Sequence, residues 1–98
     1  MDYAQQVQNG IALLDQYWGP DWRSRIDKDR LRMSNVGDCI LGQLFGEYYR
    51  GIRVFDLSGS EDVNDPKGAA FHGFHAAAQD YESPFRWDRL RNAWLLAI

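Results

Sequence analysis

The sequence has one cysteine, Cys39, among its 98 residues. A single cysteine excludes a disulfide within the chain and a zinc site built from cysteines, and it is typical of a reducing compartment. The first residues lack the basic segment and apolar run of a signal peptide. Charged residues also recur too often for a membrane-spanning run of about 18 apolar residues. We therefore expect a cytoplasmic protein that does not contact the membrane.

Motifs for catalysis and nucleotide binding are missing as well. No glycine-rich phosphate loop, G-x-S-x-G or H-E-x-x-H occurs. The two histidines, His72 and His75, are three residues apart, but Gly73 is expected to end a helix between them, and no third ligand matches. Cys39 is expected in the opening turn of a helix, where a thiol can be activated, yet nothing in the sequence brings a histidine beside it. We predict a non-enzymatic protein with no cofactor and no bound metal.

Positive charge is scarce overall, since the formal net charge is -3 and the pI is near 5.2. This balance argues against a protein whose main task is to coat nucleic acid or an anionic membrane. One segment, residues 23–32, nevertheless holds five of the eleven Lys and Arg residues: Arg23, Arg25, Lys28, Arg30 and Arg32. Asp27 and Asp29 alternate with them, which favours a solvated surface that neutralises itself. A basic face for phosphate remains the alternative.

We expect the rest of the chain to be built around the stretch from Val36 to Phe55, with a central helix over Gly37–Ile52 that is capped by Ser34 or Asn35. Its apolar positions fall on one broad helical arc: Ile40, Leu41, Leu44, Phe45, Tyr48, Tyr49 and Ile52. Beside the arc lie small residues, Cys39, Gly42 and Gly46. They predict a groove filled by the first or last helix of the same chain, with a ligand or partner as the alternative.

Helical patterns also flank the centre. Apolar residues recur at spacings of three or four at both ends of the chain: Tyr3, Val7, Ile11, Leu14 and Trp18, then Trp87, Leu90, Trp94 and Ala97. Gly19 and Pro20 are expected to end the first helix, and Ser83 with Pro84 to begin the last. We therefore predict an all-α fold: one compact domain over 1–98, of four to five short helices around the central glycine-containing helix.

The connecting segments are predicted from their polarity. Leu31 and Met33 alternate with arginines, which indicates an extended connector with two apolar side chains turned inward. Residues 56–65 are rich in Ser, Gly, Asn and acidic residues, so we expect a mobile acidic surface loop. Asp65 and Pro66 are expected to start a short helix that runs through His72 and ends at Gly73.

Aromatic residues are numerous, with four Trp, five Tyr and five Phe. Such rings can fill a small core, and any that stay exposed would mark a binding surface. We predict that Trp22, Phe71 and Phe74 form a partner-binding surface beside the acidic loop. The leading hypothesis is a protein-interaction module, and the alternative is a small nucleic-acid-binding domain that uses the basic residues of 23–32. Self-association through an apolar face stays open.

The chain resembles a group of small uncharacterised proteins of actinobacteria and their phages. The likeness lies in the W-x-x-x-I-D turn of residues 22–27, the C-x-L-G-Q-L-[FY]-G core of residues 39–46, the Gly73-Phe74 pair and Trp94 in the last helix. Many members carry a second cysteine just before the core, where this chain has Asn35, Val36 and Gly37, which argues against a shared metal or redox role. The resemblance implies a bacterial host cell as location and a host protein as partner, with a phage-encoded modifier of host growth or defence as the function.

Overall fold

The computed structural model describes all 98 residues. It contains four α-helices: α1 Ala4–Trp18, α2 Ile40–Phe45, α3 Tyr48–Val54 and α4 Arg86–Ala97. Three 3-10 turns join them, at Pro20–Arg25, Ala70–His72 and Ala78–Asp80. The β-type pairing amounts to an isolated bridge between Ser58 and Gly68. The predicted all-α class is confirmed. The radius of gyration, 11.9 Å, is close to the roughly 13 Å expected of a compact domain of this length. One cluster of 19 buried hydrophobic residues forms the core.

Helix α1 follows its apolar stripe. Tyr3, Val7, Ile11 and Leu14 are buried on one face, as predicted. The helix ends where Gly19, at φ 77°, donates its N–H to the Asp15 carbonyl at 2.7 Å, and Pro20 follows. A positive φ is accessible to glycine at little cost, so the sequence signal and the observed stop have the same physical cause.

The predicted central helix is two helices. The chain breaks at Gly46, whose φ of +94° no right-handed helix contains, and Glu47 is extended. Tyr48 then donates its backbone N–H to the Val36 carbonyl at 2.8 Å, which turns α3 back toward the connector. The prediction of one helix over Gly37–Ile52 was wrong because the apolar arc continues through Gly46, and periodicity alone does not register a change of direction.

The cap of α2 also differs from the prediction. Cys39 is the N-cap residue, and its Sγ accepts the Gly42 N–H at 3.3 Å. Asn35 instead closes the preceding turn, where its Oδ1 accepts the N–H groups of Gly37 and Asp38 at 2.8 and 3.0 Å. The helix therefore begins after Cys39, several residues later than expected.

The small residues of α2 do not receive a terminal helix, which corrects the predicted groove. A Cβ added at Gly42 would lie 2.3 Å from the Val36 carbonyl oxygen and 2.6 Å from the Gly37 carbonyl carbon. The backbone of the connector therefore occupies the space beside Gly42. Gly51 of α3 makes the matching approach to α2, against Leu41 and Phe45. Glycine permits both contacts because it has no Cβ.

The terminal helices pack on each other, and α1 also packs on the turn Ala70–His72, so they do not enclose a central rod. Gly10 in α1 allows the close approach, since a Cβ there would lie 2.2 Å from the His72 carbonyl oxygen. From α4, Leu90 and Trp94 are fully buried, and the Trp94 indole N–H donates to the Gly73 carbonyl at 2.7 Å. Helix α4 begins at Arg86, three residues after the predicted cap Ser83.

The connecting segments agree in part with the predictions. Leu31 and Met33 are buried, as predicted for the connector. The short helix expected from Asp65 is reduced to the turn Ala70–His72, which ends at Gly73 with φ 67°. Residues 56–65 lie mostly at the surface but are fastened by backbone bonds, among them the Ser58 N–H to the Lys67 carbonyl at 2.8 Å. Their mobility stays a prediction.

Candidate binding cleft

A cleft of about 190 Å³ opens beside the start of α3, where the connector, α3, residues 74–75 and α4 meet. Seven of its ten lining residues are hydrophobic. They are Met33, Ser34, Asn35, Val36, Cys39, Tyr48, Tyr49, Phe74, His75 and Trp87. The break at Gly46 creates this cleft, because it returns α3 toward Val36.

The inner wall of the cleft belongs to the core. Met33, Cys39 and Phe74 are buried. Phe74 stacks on Trp94, with ring centroids 5.9 Å apart and planes at 13°. On another side, the rings of His75 and Trp87 meet edge to face at 4.8 Å. Packed aromatic rings of this kind hold one another in place, so the wall is a fixed apolar surface.

The rim of the cleft is apolar and exposed. Val36 is 50% exposed and Tyr49 is 56% exposed, although both side chains are large and hydrophobic. Single exposed apolar side chains are common on soluble proteins and need no explanation. Two of them bordering a recess with an apolar lining form a connected surface, which is the arrangement found at binding sites.

Tyr48 is the unusual member of the cleft. Its side chain is only 8% exposed, and its buried hydroxyl has no hydrogen-bond partner in the protein. Burial raises the pKa of Tyr48 to about 12, with smaller contributions from Cys39, Tyr49 and Glu61. The phenol is therefore neutral near pH 7. A buried hydroxyl normally pairs with another polar group, so Tyr48 has an unused capacity to donate and to accept one bond.

The structure brings Cys39 and His75 to the same cleft, which the sequence did not indicate. Burial raises the pKa of the Cys39 thiol, so the thiolate that a nucleophile requires is disfavoured. His75 is held by its own surroundings, with Nδ1 2.8 Å from the Ala76 carbonyl and 3.9 Å from the Glu61 carboxylate. Arg86 approaches the same carboxylate at 3.8 Å.

The predicted partner-binding residues do not form an exposed surface. Trp22 and Phe74 are each 1% exposed, which contradicts the exposure expected of them. Trp22 packs edge-on against Trp94 and donates its indole N–H to Asp15 at 2.7 Å. Phe71 is half-buried, and its carbonyl accepts a bond from Asn9 at 2.9 Å. Of the three, Phe74 contributes to the cleft, as part of its wall.

The basic residues of 23–32 lie mostly at the surface, and several have partners. Arg23 pairs with Asp15 at 2.7 Å, and Arg30 with Asp38 at 2.9 Å. Lys28 donates to the Ile98 carbonyl at 3.0 Å. Arg25 lies over the Trp18 ring at 5.4 Å. Arg32 makes no ion pair or side-chain hydrogen bond. Pairing of this kind leaves less free positive charge for phosphate than the sequence alone suggests.

The two histidines are separated by the fold. His72 is buried, and its Nδ1 lies 3.0 Å from the Gly68 carbonyl, whereas His75 faces the cleft. No three His, Cys, Asp or Glu side chains are grouped closely enough to hold a metal ion. None of the helices has both the length and the apolar content that crossing a membrane requires.

A scan against protein-family models and searches of curated proteins and of solved structures found no match. The likeness to small actinobacterial and phage proteins stays a prediction. Tyr49 was not predicted at the surface, because it falls on the apolar arc of the expected central helix, and no pattern in the sequence marked Val36 as exposed. Gly46 followed by the charged Glu47 was the available signal for a break.

Proposed function

We propose that the protein is a non-enzymatic protein-interaction module that contacts its partner through the cleft and its rim. The exposure of Val36 and Tyr49 beside a recess lined by Cys39 and Phe74 carries this proposal. Covering both rim side chains would remove apolar surface from water, which stabilises a complex by roughly 1.5–3 kcal/mol for each large side chain that becomes fully buried. Tyrosine is also enriched among the residues that dominate binding energy at interfaces.

The chemistry of the cleft supports binding without catalysis. The Cys39 thiol and the Tyr48 phenol both have raised pKa values, so neither is ionised near neutral pH. An uncharged, largely apolar recess suits an apolar side chain of a partner more than a charged substrate. The proposed partner is a host protein in a bacterial cytoplasm, with an effect on host growth or defence. The resemblance to phage and actinobacterial proteins supports this part of the proposal.

Affinity capture from a host lysate with mass spectrometry tests the proposal, using the wild-type chain and two tyrosine variants. Tyr49→Ser removes a ring at the rim. Tyr81→Ser is the matched control, because Tyr81 is 69% exposed and lies outside the cleft. We expect a protein captured by the wild type and by Tyr81→Ser to be lost with Tyr49→Ser. Equal capture by all three proteins, or no specific capture, would contradict the proposed contact surface.

A further inference from the structure

The volume of the cleft limits what can enter it. An apolar cavity of roughly 150 Å³ accommodates one benzene ring, whereas sites for whole small molecules are typically about 300–1,000 Å³. At about 190 Å³, the cleft has room for a single ring and little more.

The hydroxyl of Tyr48 determines which kind of ring the cleft would favour. This buried hydroxyl lacks a partner, so an occupant that brings a hydroxyl or carbonyl oxygen would satisfy it, while a plain hydrocarbon ring would not. Among protein side chains, tyrosine alone combines one ring with a hydroxyl that is neutral at pH 7.

The rim indicates that the ring belongs to a larger molecule. Val36 and Tyr49 extend the apolar surface beyond the recess, and a free phenol would leave most of their surface in water. A tyrosine carried by a polypeptide would fill the recess with its ring and cover the rim with its neighbouring residues. This arrangement, an aromatic anchor with a surrounding contact, is typical of protein interfaces.

Access to the Tyr48 hydroxyl requires side-chain movement at the rim. The hydroxyl is covered in this structure. The Tyr49 and His75 rings lie beside the Tyr48 ring, with centroids at 5.1 and 6.3 Å. Tyr49 is 56% exposed, and exposed side chains change rotamer within picoseconds to nanoseconds. The inference below includes a rotamer change of Tyr49 that opens the Tyr48 hydroxyl to the cleft.

From these observations we infer that the cleft is a subsite for one tyrosine side chain of the partner protein, with its phenol hydrogen-bonded to the Tyr48 hydroxyl. The inference rests on the proposed protein-interaction function and adds the chemistry that the cleft recognises. In this inference, the Tyr48 hydroxyl selects a ring that carries a hydroxyl, and the buried wall sets the shape of the recess. The rim contacts the residues of the partner that flank the tyrosine.

The test is an NMR titration of the ¹⁵N-labelled full chain with N-acetyltyrosinamide and N-acetylphenylalaninamide, which differ by one hydroxyl. We expect shifts at Val36, Tyr49 and the Trp87 indole N–H with the tyrosine compound. The decisive quantity is the change in the ratio of the two Kd values between the wild type and Tyr48→Phe, because the greater hydrophobicity of phenylalanine cancels in that comparison. We expect Tyr48→Phe to change this ratio by about tenfold toward phenylalanine, as the loss of one hydrogen bond implies. Tyr81→Phe, a control outside the cleft, should leave the ratio unchanged.

Three outcomes would overturn the inference. They are an absence of shifts at the cleft, a ratio that Tyr48→Phe does not change, and binding of p-cresol without binding of N-acetyltyrosinamide, which would indicate a free small phenol as the ligand. Failure of the titration leaves the proposed function testable on its own, because loss of a captured partner with Tyr49→Ser does not depend on which side chain enters the cleft.

Discussion

Two buried tyrosines occupy different regions of the molecule, and their hydroxyl groups have different surroundings. Tyr3, at the start of α1, is 1% exposed; its hydroxyl donates to the Asp80 carboxylate at 3.1 Å and accepts the Ala77 N–H at 3.1 Å. Tyr48, at the start of α3, is nearly as buried, and its hydroxyl has no partner. Burial of a hydroxyl alone therefore does not reveal its role; its hydrogen bonds do.

The residues around the two tyrosines differ in the same way as their hydroxyl groups. Around Tyr3, Asp80 also contacts Arg89 at 3.3 Å and the N-terminal ammonium at 3.5 Å, so the polar groups satisfy one another and join the two ends of the domain. Around Tyr48, the neighbouring surface consists of the exposed apolar side chains of Val36 and Tyr49. The paired groups around the Tyr3 hydroxyl stabilise the fold, whereas the unpaired Tyr48 hydroxyl beside an apolar rim is the basis of the proposed contact with a partner.

The largest expected effect comes from a substitution at Gly42, where α2 lies against the backbone of Val36 and Gly37 beside the cleft. Gly42→Ala places a Cβ 2.3 Å from the Val36 carbonyl, and backbone atoms cannot move aside cheaply. We expect the free energy of unfolding to fall by about 3 kcal/mol, near the upper end for overpacking, with disturbance of the cleft. Urea unfolding measures the change. Gly59→Ala is the control, because no atom lies within 4 Å of a Cβ added there. Equal effects of the two substitutions would show that the Gly42 contact is not tight.

Breaking the paired tyrosine should cost less. Tyr3→Phe keeps the ring but leaves the buried Ala77 N–H without its acceptor and removes the bond to Asp80. We expect the free energy of unfolding to fall by about 2 kcal/mol, since a buried donor left unpaired costs roughly 1–3 kcal/mol. Thermal or urea unfolding measures it. A loss below about 0.5 kcal/mol, the range of surface substitutions, would mean that the Tyr3 network is not a stabilising one.

The same substitution at Tyr48 should act in the opposite direction. Tyr48→Phe removes a buried hydroxyl that has no partner, so we expect the free energy of unfolding to rise by about 1 kcal/mol. The measurement is the urea midpoint at pH 7, compared with Tyr3→Phe under the same conditions. Destabilisation by Tyr48→Phe would show that the hydroxyl is paired in solution, and the comparison between the two tyrosines would then fail.

The dependence of stability on alkaline pH provides a second test of Tyr48→Phe. The folded-state pKa of about 12 lies above the ordinary value of 10, so the folded protein holds this proton more tightly than the unfolded chain. The resulting stability is complete below pH 10 and is lost as the pH rises through 12. The free energy of unfolding of Tyr48→Phe should therefore decline less than that of the wild type between pH 10 and 12. The decline due to Tyr3 should remain in the variant, because burial also raises the pKa of Tyr3. Parallel declines in both proteins would contradict the raised pKa of Tyr48.

Much of the fold follows from local patterns. The stripe of α1, the stop at Gly19 and Pro20, and the burial of Leu31 and Met33 were all predictable, because each depends on residues a few positions apart. The start of α4 was misplaced by two residues, since the N-cap is Phe85 and not Ser83; Ser83 and Pro84 form a capping pattern whether or not the helix follows at once. The candidate site was predictable only in small part: Cys39 was noted among the small residues of the central stretch, and Phe74 was predicted as an exposed partner-binding residue but is buried in the cleft wall.

The sequence by itself determined that this chain forms helices, where the outer ones lie, and which residues of α1 face inward, because helix periodicity is a property of neighbouring residues. Tertiary structure alone decided that the centre bends at Gly46, that Trp22 and Phe74 are covered while Val36 and Tyr49 are not, and that Tyr48 is left without a partner. Those outcomes depend on contacts between distant segments, such as Tyr48 with Val36 and Trp94 with Gly73, and no local pattern records which segments will meet.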